Sequence, residues 1–302
     1  MCSRSFRCVV LLTAAALAGC SSAPPPTAVG GTALCADPHS EPDVVEDLRQ
    51  IRRFEQEAHK LVEADTLTNM SDLRKQLGRK QCKLKLLPRP KAAMTPAEIY
   101  RKCRGGTLMV GTVYKCKRCP RWHASLASGF VISASGAAVT NYHVLDKDDQ
   151  RGMIAMTYGG KVFAVKEVLA ASKSNDVAIV QLDVGEARLE PLALSPDVPV
   201  GTPVCVISHP SRALWSLTCG HVSRYVMGRK GRANMPLMII TADFARGSSG
   251  GPVLDDRGAV AGLVASTRSI YYSVTKEKKE NLQMVIKNCI PAASVIKLIA
   301  SP

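Results

Sequence analysis

The chain has 302 residues, a formal net charge of +15, 46 % apolar residues and 5 % aromatic residues. That length leaves room for one large or two ordinary domains with an aliphatic core, and the positive balance makes acidic surfaces the expected partners. Aromatics are sparse, which argues against a nucleic-acid binder.

In chain order, Arg4 and Arg7 precede a short apolar run over residues 9–17, too short to span a bilayer. The run ends in Leu17-Ala18-Gly19-Cys20, which resembles the bacterial lipobox. Residues 1–19 are therefore read as a lipoprotein signal peptide, with Cys20 lipidated. Ser21, where an Asp would retain the protein, implies sorting to the outer membrane. The expected location is the bacterial cell envelope, lipid-anchored and facing the periplasm or the surface. Residues 20–35 include a Pro-, Ser-, Ala- and Gly-rich stretch and read as a tether.

Residues 36–104 read as a helical, basic region. Ser40 and Asp43 make a capping-box-like start. Val44, Leu48, Ile51, Phe54 or Glu55, Ala58 and Leu61 then recur at helical spacing. A shorter helix is predicted over 71–80. Thr95-Pro96-Ala97-Glu98 opens another, with Thr as N-cap, Pro in the first turn and Glu closing the box; Gly105 and Gly106 end it. Between Lys75 and Arg121 stand fourteen Lys or Arg residues against one acid, Glu98. This block reads as a solvated basic face near the membrane, with docking to anionic lipid or polysaccharide as the sharper alternative.

From residue 107 the periodicity changes to short strands. Six are predicted at 107–114, 126–133, 137–141, 152–158, 161–170 and 177–182, with Ser135-Gly136 and Gly159-Gly160 as turns. After a break at 190–202, six more follow at 203–208, 215–225, 237–241, 252–255, 259–267 and 282–286, and then a C-terminal helix over 291–299. The fold class is an all-β core of two six-stranded antiparallel β-barrels, residues 105–190 and 191–302, because closure removes exposed edges. With Cys20 set aside, the chain after residue 19 holds eight cysteines. An even number in an exported chain favours disulfides. Cys205 and Cys219 are the best pair, facing each other across a hairpin. Cys116-Lys117-Arg118-Cys119 with His123 places three ligand types close together. A zinc site normally needs four, so a disulfide of Cys116 and Cys119, or their pairing with distant cysteines, is expected, with no metal and no cofactor.

The chemistry concentrates in three strings. Arg246-Gly247-Ser248-Ser249-Gly250-Gly251-Pro252 sets a serine between glycines, where backbone N–H groups can converge on one point. Thr140-Asn141-Tyr142-His143-Val144 supplies a base at a strand end, and Asn175-Asp176-Val177-Ala178-Ile179 an acid at a strand start. With Ser128-Gly129-Phe130-Val131-Ile132 they resemble, over about residues 105–300, the trypsin-like serine proteases of the chymotrypsin fold, closest to the bacterial HtrA/Deg-like branch. The order His, Asp, Ser is that of this class.

The resemblance implies that Ser249 is the nucleophile, His143 the general base and Asp176 the group that orients it, with the Gly247 and Ser249 N–H groups as oxyanion hole. It also implies a specificity pocket formed by Asp243, Val264, Ala265 and Ser266. Asp243, six residues before Ser249, would select Lys or Arg; a turn role is the alternative. Ser248 stands where the family often has Asn or Asp, so no zymogen-type activation is expected. About fifty residues follow Ser249, so no PDZ-like domain is expected. His209, before Pro210, is read as structural. The function expected is a serine endopeptidase acting on envelope or extracellular proteins; the alternative is a catalytically silent trypsin-like module that binds envelope partners. Oligomeric state and activation are not indicated.

Overall fold

The computed structural model describes residues 44–116, 119–227, 236–275 and 277–300. The expected signal peptide, tether and lipid anchor at Cys20, together with Cys35, Ser40 and Asp43, lie outside them. Helix α1 (Asp47–Glu63) buries Ile51, Phe54 and Ala58, one stripe at helical spacing. It starts later than expected: Val44 and Leu48 are largely exposed, and Glu46 is the N-cap. Glu55 leaves the stripe to reach His123. Helix α2 (Met70–Gln76) is shorter than the predicted 71–80 and is followed by Gly78. Strand β1 (Cys82–Lys83) leads to α3 (Pro96–Cys103), where Thr95 and Glu98 form the expected capping box. Among the described residues no helix is long and apolar enough to cross a membrane.

The first ring comprises β2 (Thr107–Lys115), β3 (Trp122–Ala124), β4 (Ala127–Val131), β5 (Ala137–Thr140), the single-turn α4 (Tyr142–Leu145), β6 (Gly152–Met156), β7 (Val162–Ser172) and β8 (Val177–Leu182). Its order is β3-β2-β4-β5-β8-β7-β6, and β2 also pairs with β6, so six strands close and β3 hangs on β2. The second ring, β9 (Pro203–Ser208), β10 (Ser216–Met227), β11 (Pro236–Ile240), β12 (Pro252–Asp255), β13 (Val260–Val274) and β14 (Lys279–Pro291), is a closed antiparallel barrel in the order β10-β11-β14-β13-β12-β9. Helix α5 (Ala292–Ile296) is shorter than predicted, because the chain turns out at residue 299 to form β15 (Ile299–Ala300), parallel to β1.

Strand alternation sorts side chains between cores. Leu108, Val110, Ala138, Ala178 and Val180 fill the first ring, and Val204, Val206, Val222 and Val264 fill the second. The alternate residues Met109, Val139, Ile179 and Ile207 join Phe54, Ile99 and Trp215 in a third core that links the helices to both rings. The N-terminal helices thus pack into the same compact unit, which runs from Val44 to the C-terminus. The basic segment is tied down as well. Arg89 donates through Nε and Nη2 to Asp255 Oδ2 at 3.1 and 2.7 Å, and the Asp255 carboxylate is fully buried. Cys205 and Cys219 pair in register across β9 and β10 and form the expected disulfide.

Candidate active site

His143 lies on α4 immediately after β5, and Asp176 immediately precedes β8, the strand paired with β5. That pairing brings the two side chains together. Asp176 Oδ2 and Oδ1 lie 2.8 and 3.0 Å from His143 Nδ1, and Oδ1 also accepts the His143 backbone N–H at 2.9 Å. With Nδ1 donating, Nε2 is left as the acceptor. Asp176 adopts φ +53°, which places its carboxylate under His143, and Asn141 Nδ2 donates to its carbonyl at 2.9 Å. A non-glycine residue in this conformation is held by its neighbours, and such strain concentrates at functional sites.

Ser249 comes from the second ring, on the loop before β12. Two glycines shape that loop. Gly247 has φ +100° and Gly250 φ +86°, and a Cβ at either would press into a carbonyl oxygen, that of His209 or of Ser128. Neither Gly247 N–H nor Ser249 N–H has an intramolecular acceptor among the described residues, so both are available to a ligand. His143, Gly247 and Ser249 line one cleft of about 790 Å³ between the rings. Ser249 Oγ and the imidazole are not hydrogen-bonded to each other in this state, a contact that often tightens only with substrate bound.

Two residues outside the expected set hold this loop. Ser128 on β4 donates its N–H to the Ser249 carbonyl at 2.8 Å and its Oγ–H to the Gly247 carbonyl at 3.0 Å, clamping one ring to the other. Its signal was present in the Ser128-Gly129 motif, but as a family marker rather than as a contact. His209 is fully buried; its Nδ1 accepts the Trp215 N–H at 3.0 Å, and burial pushes its pKa down to about 4. Its carbonyl backs Gly247, which makes the structural reading of the His209-Pro210 turn specific. Ser248 is buried with its Oγ accepting from Ser208 Oγ at 2.9 Å, a neutral pair at the position where a charged one was not expected.

The residues expected to form the specificity pocket lie outside the lining of the cleft. Asp243 is 81 % exposed, and its Oδ1 lies 2.9 Å from Nζ of the nearly buried Lys287, which also donates to the Phe244 carbonyl at 2.9 Å. Its charge is thus already met, and a basic substrate side chain would have to displace Lys287. Neither Asp243 nor Val264, Ala265 or Ser266 is among the residues lining the cleft. The cleft instead carries Lys147, Arg212 and Arg246, and among the described residues no carboxylate joins them. Burial, with Arg246 nearby, holds the Lys147 ammonium below its usual pKa.

The second expected cross-link is also absent. Cys116 and Cys119 are not joined; both thiols turn toward His123. Cys82, Cys103 and Cys289 remain thiols too, so among the described residues Cys205–Cys219 is the disulfide formed.

Two closed six-stranded β-rings, with the cleft between them, are a chymotrypsin-like fold. Residues 127–263 match the trypsin-like peptidase domain family. The chain is 28 % identical over 185 residues to Protease Do-like 5, chloroplastic, of Arabidopsis thaliana, covering 57 % of this chain and 55 % of that one. It is 30 % identical over 139 residues to a probable periplasmic serine endoprotease DegP-like of Halomonas elongata, covering 46 % and 29 %. The solved structure of the HtrA-type protease AlgW with a tripeptide shares the fold at a TM-score of 0.54 and 18 % identity, over 68 % of this chain and 62 % of that one. Residues 127–263 are thus similar to a trypsin-like peptidase domain, and the chain has DegP-like and HtrA-type relatives. It spans about half the length of the plant relative and less than a third of the DegP-like one.

Proposed function

We propose that the protein is a serine endopeptidase in which Ser249, His143 and Asp176 act together. The observation that carries this reading is His143, held by Asp176, lining one cleft with Ser249 and Gly247, whose N–H groups have no acceptor among the described residues. Ser249 Oγ attacks the scissile carbonyl carbon while its proton passes to His143 Nε2. Asp176 holds the imidazole tautomer and stabilises the imidazolium. The carbonyl oxygen, now negative, accepts from the Gly247 and Ser249 N–H groups, each worth about 3–4 kcal/mol in the transition state. Collapse breaks the C–N bond, the leaving amine takes the proton from His143, and water then releases the acyl group by the same route. Lys147, Arg212 and Arg246 favour polypeptides with acidic rather than basic residues near the scissile bond. Export, acylation at Cys20 and action on envelope proteins complete the proposal, supported by the lipobox-like sequence and the relative named as periplasmic.

A fluorophosphonate probe tests it. Wild type should label and Ser249→Ala should not. Labelling that persists in the variant refutes Ser249 as nucleophile, and a folded wild type that neither labels nor cleaves an acidic casein-type substrate refutes the enzyme reading. Metabolic labelling with an alkyne fatty acid, lost in Cys20→Ala, tests the anchor.

A further inference from the structure

We propose that Cys116, Cys119 and His123 form a metal site for a borderline-soft divalent cation of the Zn²⁺ type, bracing the β2–β3 hairpin against helix α1. The three ligand atoms lie within 4.8 Å of one another, with Cys119 Sγ 3.3 Å from His123 Nε2. A tetrahedral zinc centre with its usual bond lengths sets a sulfur–nitrogen edge of about 3.6 Å, a few tenths of an ångström from the Cys119–His123 separation, with the Cys116 thiol within reach of closing the third edge. The turn that presents them is closed at its base: the Cys116 N–H donates to the Arg121 carbonyl at 3.2 Å, and Lys115 Nζ to the Pro120 carbonyl at 2.6 Å. In the β2–β3 register Tyr114 stands opposite His123, which puts the histidine at the mouth of that turn.

The second observation is on the far side of the ring. Glu55, from α1, lies with Oε1 3.0 Å from His123 Nδ1. A carboxylate on Nδ1 directs Nε2 toward the thiols and raises its basicity, the usual support behind a metal-bound imidazole. Two sulfurs and one imidazole select zinc over calcium or magnesium, which prefer oxygen. The fourth position is left to water. On binding, the cation forms bonds to both sulfurs and the Sγ protons leave to solvent, with no change of oxidation state. Tyr114 and Ala124, from the two strands of the same hairpin, line the catalytic cleft, so the cation would stiffen one wall of it without touching the His143–Ser249 chemistry.

The test uses the whole protein, purified without chelator or reductant. One Zn²⁺ per chain by elemental analysis, and a thiolate-to-cobalt charge-transfer band on Co²⁺ titration, are expected. Cys116→Ser and Cys119→Ser should each abolish the band, and Glu55→Gln should weaken Zn²⁺ binding about 10–100-fold, while Ser249→Ala binds as wild type does. A measurement on wild type alone guards against variants that misfold: Zn²⁺ should slow alkylation of these two thiols, and chelation should restore it. Retention of no metal by protein with reduced thiols, a Cys116–Cys119 disulfide that persists with added Zn²⁺, or undiminished cobalt binding in the cysteine variants would each overturn the proposal.

Discussion

Single side chains set the geometry of the cleft loop, and two of them do so without touching substrate. Ser128 fixes the carbonyls of Gly247 and Ser249, which bracket the peptide carrying the Ser249 N–H, and thereby the direction of that donor. Removing its hydroxyl in Ser128→Ala forfeits one hydrogen bond, about 1 kcal/mol. We expect kcat to fall about fivefold with KM nearly unchanged, because the oxyanion contact develops only in the transition state. A change confined to KM would remove Ser128 from this positioning role. His209 acts from behind Gly247 as a neutral, buried imidazole. Its folded pKa of about 4 lies below the unfolded value, so the folded state binds fewer protons between the two. The stability it contributes is fully present above about pH 6.5 and is lost as pH falls toward 4, a swing on the order of 3 kcal/mol. Urea titrations from pH 7 to 4 should show a shallower acid decline in His209→Asn, whose side-chain oxygen can still accept the Trp215 N–H. Equal slopes would refute the assignment.

Among the elements, α1 carries more than its amphipathic pattern announces. Its apolar stripe enters the core shared by both rings, its Asp47 carboxylate accepts the Leu214 N–H at 2.9 Å, and its Glu55 meets His123. Phe54 is fully buried. Phe54→Ala should cost about 3–5 kcal/mol in a denaturant titration; a loss under 1 kcal/mol would mean that the helix is a peripheral attachment. The basic segment has a comparable tie. Among the described residues, Arg89→Ala leaves the buried Asp255 carboxylate with the Arg257 and Ala259 N–H groups, and should destabilise by about 2 kcal/mol in a denaturant titration. Strand positions were legible because alternation and turn residues mark them. Strand ends were less so: β13 and β14 continue to Val274 and back from Lys279 because they pair with each other, a partner choice that neither segment records alone.

At the scale of the whole molecule, the cleft between the rings is cationic. Matched peptides with Glu instead of Lys beside the scissile bond should show kcat/KM about tenfold higher at low salt, the ratio shrinking as salt screens the field. Equal rates for the two would sink the acidic preference. The two sets of strands, the capped helix at Thr95, the Cys205–Cys219 pair and the three strings around His143, Asp176 and Ser249 were legible in the residues themselves. These are local signals, in which periodicity, caps and glycines act within a few residues of where they are read. Packing in three dimensions settles that Lys287 meets Asp243, that Arg89 meets Asp255, that Cys116 and Cys119 gather with His123 without forming a disulfide, and that α1 is built into the core. Each joins residues far apart in the chain, or sets the direction of a side chain within a turn. Charge pairing and burial are fixed by what packs opposite, and a one-dimensional pattern does not name that partner.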